Sequence, residues 1–251
     1  MTSRFNLPID LPRLQNDRLR LVPLEDNLEE WAEIYIQDGV RNPHVWDWLT
    51  YGPFTTTAEY VSWYHQEVGS SNDTLLLAIV LKAGTVDRKD PVTGEIKTTH
   101  VTDGTFAGIC GMIGHPKRAT VELGQLLLTE FQRTFVGTQS NALLLHHCLD
   151  SVVEGELGMR RVQWLANARN VASVNAAKRM GFQFEGIIRW EQVLPLNKRG
   201  SDGAGLDEGV IPRVGVDGRE LGSGRHSAML SLCWDDWVNG GMEHINKLVR
   251  R

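Results

Sequence analysis

Residues 126–145 read LLLTEFQRTFVGTQSNALLL: an apolar run, a polar turn, then a run with helical spacing. A chain that passes from strand to helix in so few residues belongs to a layered arrangement of helices packed on a sheet. The junction also leaves backbone N–H groups without partners beside the positive end of a helix dipole. An anion binds such a place when the backbone can approach it. In Gln132-Arg133-Thr134-Phe135-Val136-Gly137-Thr138, Gly137 permits close approach, Arg133 adds charge, and Thr134 and Thr138 offer hydroxyls. From these residues alone two readings are open: a phosphate-binding turn, and a plain strand–helix connection with a routine glycine.

The remaining pattern mixes strands and helices. RLRLVPL (18–24) alternates as a strand does, and Leu28, Trp31, Ile34 and Tyr35 share one helical face. GVRNPHVWDWLTYGPF (39–54) is crowded with aromatics, broken by prolines and read as a loop. Thr56 and Glu59 form a capping-box pattern that starts the next helix. Strands are expected over 74–82, 105–116, 120–130, 160–166 and 225–234, and helices over about 136–154, 171–180 and 235–249, the last interrupted at Gly240-Gly241. Asn170 suits an N-cap and Gly181 a left-handed helix end. The expected organisation is an N-terminal arm (1–16) and one α/β domain (17–250), with polar surface insertions at about 83–103 and 197–224.

Charge and cysteine usage narrow the function classes. The 251 residues carry a net charge of −5 with basic residues scattered, which argues against nucleic-acid binding. A mildly acidic surface favours a cationic small molecule or a basic peptide. Cys110, Cys148 and Cys233 stand far apart among apolar neighbours without metal-ligand spacing, so buried thiols and no metal are expected. His146-His147 lacks a third ligand nearby. The opening residues have no apolar signal-peptide core and no stretch approaches a membrane span, so a cytoplasmic protein is expected.

The stretch ANARNVASVNAAKRMGFQFEGIIR (166–189) holds Asn170, Ser173, Ala177, Gly181, Phe182, Glu185, Gly186 and Arg189 in one register. This resembles the N-x-x-S-x-x-x-A-x-x-x-G-F-x-x-E-G-x-x-R pattern of the Rim-type (RimJ/RimL-like) branch of the GNAT N-acetyltransferases. The turn is similar to that superfamily's Q/R-x-x-G-x-G/A signature: Gln132, Val136 and Gly137 fit, and Phe135 replaces the first glycine. The resemblance implies a central mixed, mostly antiparallel twisted sheet flanked by helices and splayed between its fourth and fifth strands. It also implies acetyl-coenzyme A as co-substrate, held by backbone at Leu127 and Leu128, by the turn 132–138, and by Asn170 and Ser173.

Acetylating an amine requires its neutral form, which for an alkylamine at pH 7 costs roughly 4.6 kcal/mol. Glu122, on the strand before the turn, is the candidate base, and a solvated strand residue is its plain alternative. N–H groups near Leu127 and Leu128 are candidates for holding an oxyanion, and Ser173 for protonating the departing thiolate. Glu185 and Arg189 are read as an ion pair that orients the next strand, with a substrate contact as the alternative. His44, Trp46, Asp47, Trp48 and Tyr51 either contact the amine or pack a lid onto the core. Two functions follow: an N-acetyltransferase acting by direct attack in a ternary complex on a small amine, protein N-terminus or lysine, as monomer or homodimer; or a non-catalytic acyl-coenzyme A-binding or regulatory protein. A third reading, a nucleotide-phosphate enzyme using the same turn, is argued against by the absence of GxxxxGK[ST] and of a GxGxxG turn opening a helix.

Overall fold

The computed structural model describes residues 4–90, 92–196, 198 and 213–250. Seven strands form one sheet in the order β1-β2-β5-β6-β7-β9-β8. They are β1 (Leu19–Pro23), β2 (Thr74–Leu81), β5 (Thr105–His115), β6 (Thr120–Leu127), β7 (Arg161–Asn167), β8 (Gln183–Val193) and β9 (Gly224–Cys233). All neighbours run antiparallel except β6 and β7, which are parallel. The parallel pair is short: Thr120–Leu123 meets Arg161–Trp164, and the strands then part. Within this sheet β6 and β7 are the fourth and fifth strands in chain order, so the splay lies where the resemblance put it.

Burial explains the central strands. TLLLAIVL in β2 is apolar throughout, and from Leu77 to Leu81 every residue is buried, as a strand covered on both faces must be. Helix α1 (Leu28–Arg41) turns Leu28, Trp31, Ala32, Tyr35 and Ile36 inward, with Trp31 stacked on Phe106 at 5.6 Å. Helix α2 (Thr57–Trp63) starts at the Thr56/Glu59 capping box. Helix α3 (Phe135–Leu149) connects β6 to β7 and buries Leu144 and Leu145 completely, each worth about 1.5–3 kcal/mol of transfer free energy. Helix α4 (Val171–Arg179) follows β7, and the short α5 (Trp234–Asp236) leads through a kink at Gly240 (φ 121°) into α6 (Met242–Val249).

Several expectations change. The polar segment at about 83–103 forms a separate hairpin, β3 (Gly84–Lys89) with β4 (Ile96–Val101), whose turn is tied by Asp90 accepting from the Val92 and Thr93 N–H groups. Helix α3 stops at Leu149 rather than Glu154, because Asp150 is extended and Ser151 and Glu154 cap a separate turn. The arm is packed: Phe5, Leu7 and Leu14 are buried, and Asn6 donates to the Gly114 carbonyl. Cys233 is half-buried rather than buried. Of the insertion expected at 197–224, residue 197 and residues 199–212 lie outside the described residues.

Candidate active site

The turn before α3 is not a direct strand–helix junction. After β6 ends, a short helical turn (Thr129–Phe131) intervenes, Gln132 is extended and Arg133 adopts φ 63°. Gln132 reaches back to donate to the Leu127 carbonyl. Thr134 is the N-cap: its Oγ1 donates to the Phe131 carbonyl at 2.7 Å and accepts from the Val136 N–H at 3.2 Å. That leaves the Phe135 and Gly137 N–H groups at positions where a helix supplies no acceptor. The Phe135 ring, which stands where the signature has its first glycine, is engaged by the Arg18 guanidinium 3.3 Å from its centroid. Gly137 packs on β6; a Cβ there would stand 2.9 Å from Gln125 Oε1 and 3.2 Å from Leu127 Cδ1.

The splay exposes backbone beside this helix end. Leu128 donates its N–H to the Ala107 carbonyl at 3.0 Å, which removes it from the expected pair of oxyanion donors. Because N–H directions alternate along a strand, the Leu127 N–H points the other way, toward the opening between β6 and β7. On the far side of the opening, Asn170 Oδ1 caps α4 by accepting from the Ser173 N–H. Ser173 Oγ accepts from Trp164 Nε1 at 3.0 Å, which leaves its own proton free to donate.

Side chains alternate as well. Gln125 faces α3, where it donates to Ser140 Oγ, so Glu122 faces the opposite side of the sheet. There it accepts from Gln163 Nε2 at 2.9 Å. Glu191 on β8 and Arg225 on β9 are both within electrostatic reach of it. Burial pushes the Glu122 carboxyl above the ordinary carboxylate range; Glu191 adds to the rise, while Gln163 and Arg225 oppose it. A chain of contacts continues from Arg225 Nε to Ser227 Oγ at 3.1 Å and from Ser227 Oγ to Glu191 Oε2 at 2.9 Å. Glu185 is paired with Arg161 through two bonds of 2.6 Å, not with Arg189, and those bonds hold its carboxyl down at about 2.

An N-terminal helix pair, a splayed parallel pair and a capped helix end beside it make a recognisable frame, and the sequence agrees. Residues 18–183 match the Acetyltransferase (GNAT) domain family. The chain belongs to the GNAT acetyltransferase family. A GCN5-related N-acetyltransferase from Brucella melitensis superposes with TM-score 0.64 at 21% identity, over 94% of this chain and 84% of the other. Mycobacterium smegmatis RimJ in complex with CoA-disulfide gives TM-score 0.57 at 13% identity, over 91% and 87%. Spermidine N-acetyltransferase from Vibrio cholerae in complex with CoA and spermine gives 0.55 at 12%, over 89% and 100%. These likenesses establish the fold. A comparison with curated proteins gives no match.

In this GNAT chain the aromatic loop divides into two parts. Trp46 is a core wedge: it is buried, packs on Tyr35 at 5.0 Å, and fills the space a Cβ would need at Gly39 or Gly52. Tyr51 packs on Trp63 in a tilted contact at 4.3 Å, and burial raises its hydroxyl to about 12. These two rings are committed to packing, whereas His44 and Asp47 are exposed and Trp48 is half-buried. Burial pushes the Cys110 and Cys148 thiols up, against any thiolate role. His146 is held by Asp150 and Asn246, and His147 by Glu156. Among the described residues, the one group with ligand atoms close enough for a metal is Cys233, Asp235 and Asp236; Asp236 already caps the Cys233 N–H and accepts from Gln183. No helix is long and apolar enough to cross a membrane among the described residues.

Sequence reasoning missed Gln163, Glu191, Arg225, Ser227 and Lys198. For four of them a signal existed: RVQWLA and GRHSAMLSLC alternate polar with apolar, so each strand shows one polar face, and Glu191 sits in the strand between. Lys198 carried none.

Proposed function

We propose that the protein is an acetyl-coenzyme A-dependent N-acetyltransferase of the Rim-type branch, in which a primary amine attacks the thioester directly within a ternary complex. The observation that carries this reading is Glu122: a half-buried carboxyl raised above its ordinary range, on the strand that lines the splay. The free N–H groups at Phe135 and Gly137, with Arg133 beside them, fit the coenzyme's pyrophosphate, and the coenzyme supplies the acetyl thioester when bound. Glu122 takes the amine proton, the Leu127 N–H faces the position of a developing oxyanion, and Ser173 Oγ donates toward the departing sulfur. The capping bonds of Thr134 give it a structural part in the turn, and Asn170 does the same for α4.

A cationic acceptor suits the carboxylates Glu122 and Glu191; a polyamine, a protein N-terminus or a lysine each satisfies that chemistry. The spermine-bound neighbour supports the polyamine member of this set. The domain over 17–250 acts as a monomer or homodimer in the cytoplasm. The non-catalytic alternative rests on Phe135 in the turn and on the identity of the base; the contact of the Phe135 ring with Arg18 favours the catalytic reading over it.

Calorimetric titration with acetyl-coenzyme A and its dephospho and desulfo analogues tests the turn, and thiol release with a panel of amines tests turnover. Saturable binding followed by amine-dependent thiol release is the expected result. Binding without release for any amine would leave only a coenzyme-binding protein. No binding at millimolar concentration would remove the assignment of the turn.

A further inference from the structure

Two cations from the C-terminal part of the chain, Lys198 beyond β8 and Arg225 on β9, hold the aromatic loop of the N-terminal half. Lys198 Nζ donates to the carbonyls of Trp46 (2.6 Å), Leu49 (2.6 Å) and Tyr51 (2.9 Å). Arg225 Nη1 donates to the carbonyl of Trp48 at 3.4 Å. Both side chains are largely buried, with 9% and 8% of their surface exposed, so these are enclosed contacts rather than surface ones. Four carbonyls within six residues are therefore occupied by two side chains 147 to 177 positions away in sequence. The same Arg225 continues through Ser227 to Glu191, on the sheet face that carries Glu122.

We propose that Lys198 and Arg225 form a clasp that fastens the loop 46–51 across the sheet face bearing Glu122, and that this clasp sets how an acceptor amine reaches the carboxylate. Its bearing on catalysis rests on the N-acetyltransferase reading; its existence as a loop latch does not. An ammonium has three donors, and here all three are taken by carbonyls. A neutral amine has two N–H groups and a lone pair, so one of the three carbonyls loses its Lys198 donor and meets a lone pair instead; the Trp46 carbonyl also accepts from the Leu49 N–H at 3.1 Å, so the loss weighs on Leu49 or Tyr51. An enclosed carbonyl without a partner is costly, so the loop releases. The charged groups facing Lys198 are Asp47, which favours its protonated form, and Arg225, which opposes it; burial is the larger effect and brings the amine down to about 8. Arg225 in turn faces Glu191 and Glu122, and stays charged throughout. Tyr51, at about 12, remains neutral through the same range.

Hydrogen exchange by mass spectrometry on the full chain, without coenzyme or acceptor, reads the latch directly. In the native protein, protection of the amides in 44–53, corrected for intrinsic rate, falls at least tenfold between pH 7 and pH 9.5, while α3 and β5 keep theirs. Lys198→Met loses that protection already at pH 7 and shows no pH step, and Lys198→Arg restores part of it. With an amine that turns over, Lys198→Met changes the acceptor KM at least fivefold and leaves coenzyme affinity unchanged. Should Lys198→Met fail to fold, the pH series on the native chain still decides. A loop whose protection ignores both pH and the substitution overturns the clasp. Loss of protection without any amine turning over keeps the latch and sinks the enzymatic reading instead.

Discussion

At the turn before α3, the groups that shape the helix end come from one short stretch, Leu127 to Gly137, and are held by bonds made within it. The carboxylate floor around Glu122 is assembled differently: one side chain comes from β6, one from β7, one from β8 and two from β9. The turn owes its chemistry to backbone N–H groups, so many side chains are tolerated there provided φ, cap and close approach are kept. The floor owes its chemistry to side chains whose ionisation depends on every neighbour. Local backbone sites are sensitive to size, and assembled side-chain sites are sensitive to charge.

Three substitutions separate the two, from the largest expected effect to the smallest. Glu122→Gln keeps the shape and removes the base; kcat falls by about 10²–10⁴-fold with coenzyme affinity unchanged. In the native enzyme the acid limb of kcat/KM lies above the ordinary carboxylate range. The raised carboxyl is a base only above its own pKa, and activity disappears as pH falls through it. A variant with unchanged kcat would show that the floor is not catalytic.

Gly137→Val tests size at the turn. The new Cβ meets Gln125 and Leu127, so stability drops by about 1–3 kcal/mol and coenzyme affinity falls by about tenfold or more. Thermal denaturation and calorimetry read the two effects separately, and normal affinity would make Gly137 a packing glycine alone. Ser173→Ala is the smallest: a thiolate leaves readily near neutral pH, so its proton donor is worth roughly tenfold in kcat and nothing in coenzyme affinity. Equal losses in both would assign Ser173 to binding instead.

The legibility of each part follows its range. The capping box at Thr56 and Glu59, the N-cap at Asn170, the left-handed Gly181 (φ 93°) and the break at Gly240 were all readable because each depends on a few adjacent residues. The contact of the Phe135 ring was not, since its partner is Arg18, just before β1. Nor was the partner of Glu185: Arg189 is closer in sequence, but the strand places Arg161 against it. Trp46 and Tyr51 read equally well as acceptor contacts or as core until Gly39, Gly52 and Trp63 surrounded them.

The sequence by itself determined the alternation of strands and helices, the caps that start and stop them, and the family frame, because periodicity and capping act within one or two turns of chain. Only the tertiary structure decided which carboxyl is raised, that the Leu128 N–H is already bonded, and which cations reach the aromatic loop. Those properties depend on burial and on neighbours brought from as far as 177 residues away, where sequence spacing carries no distance information.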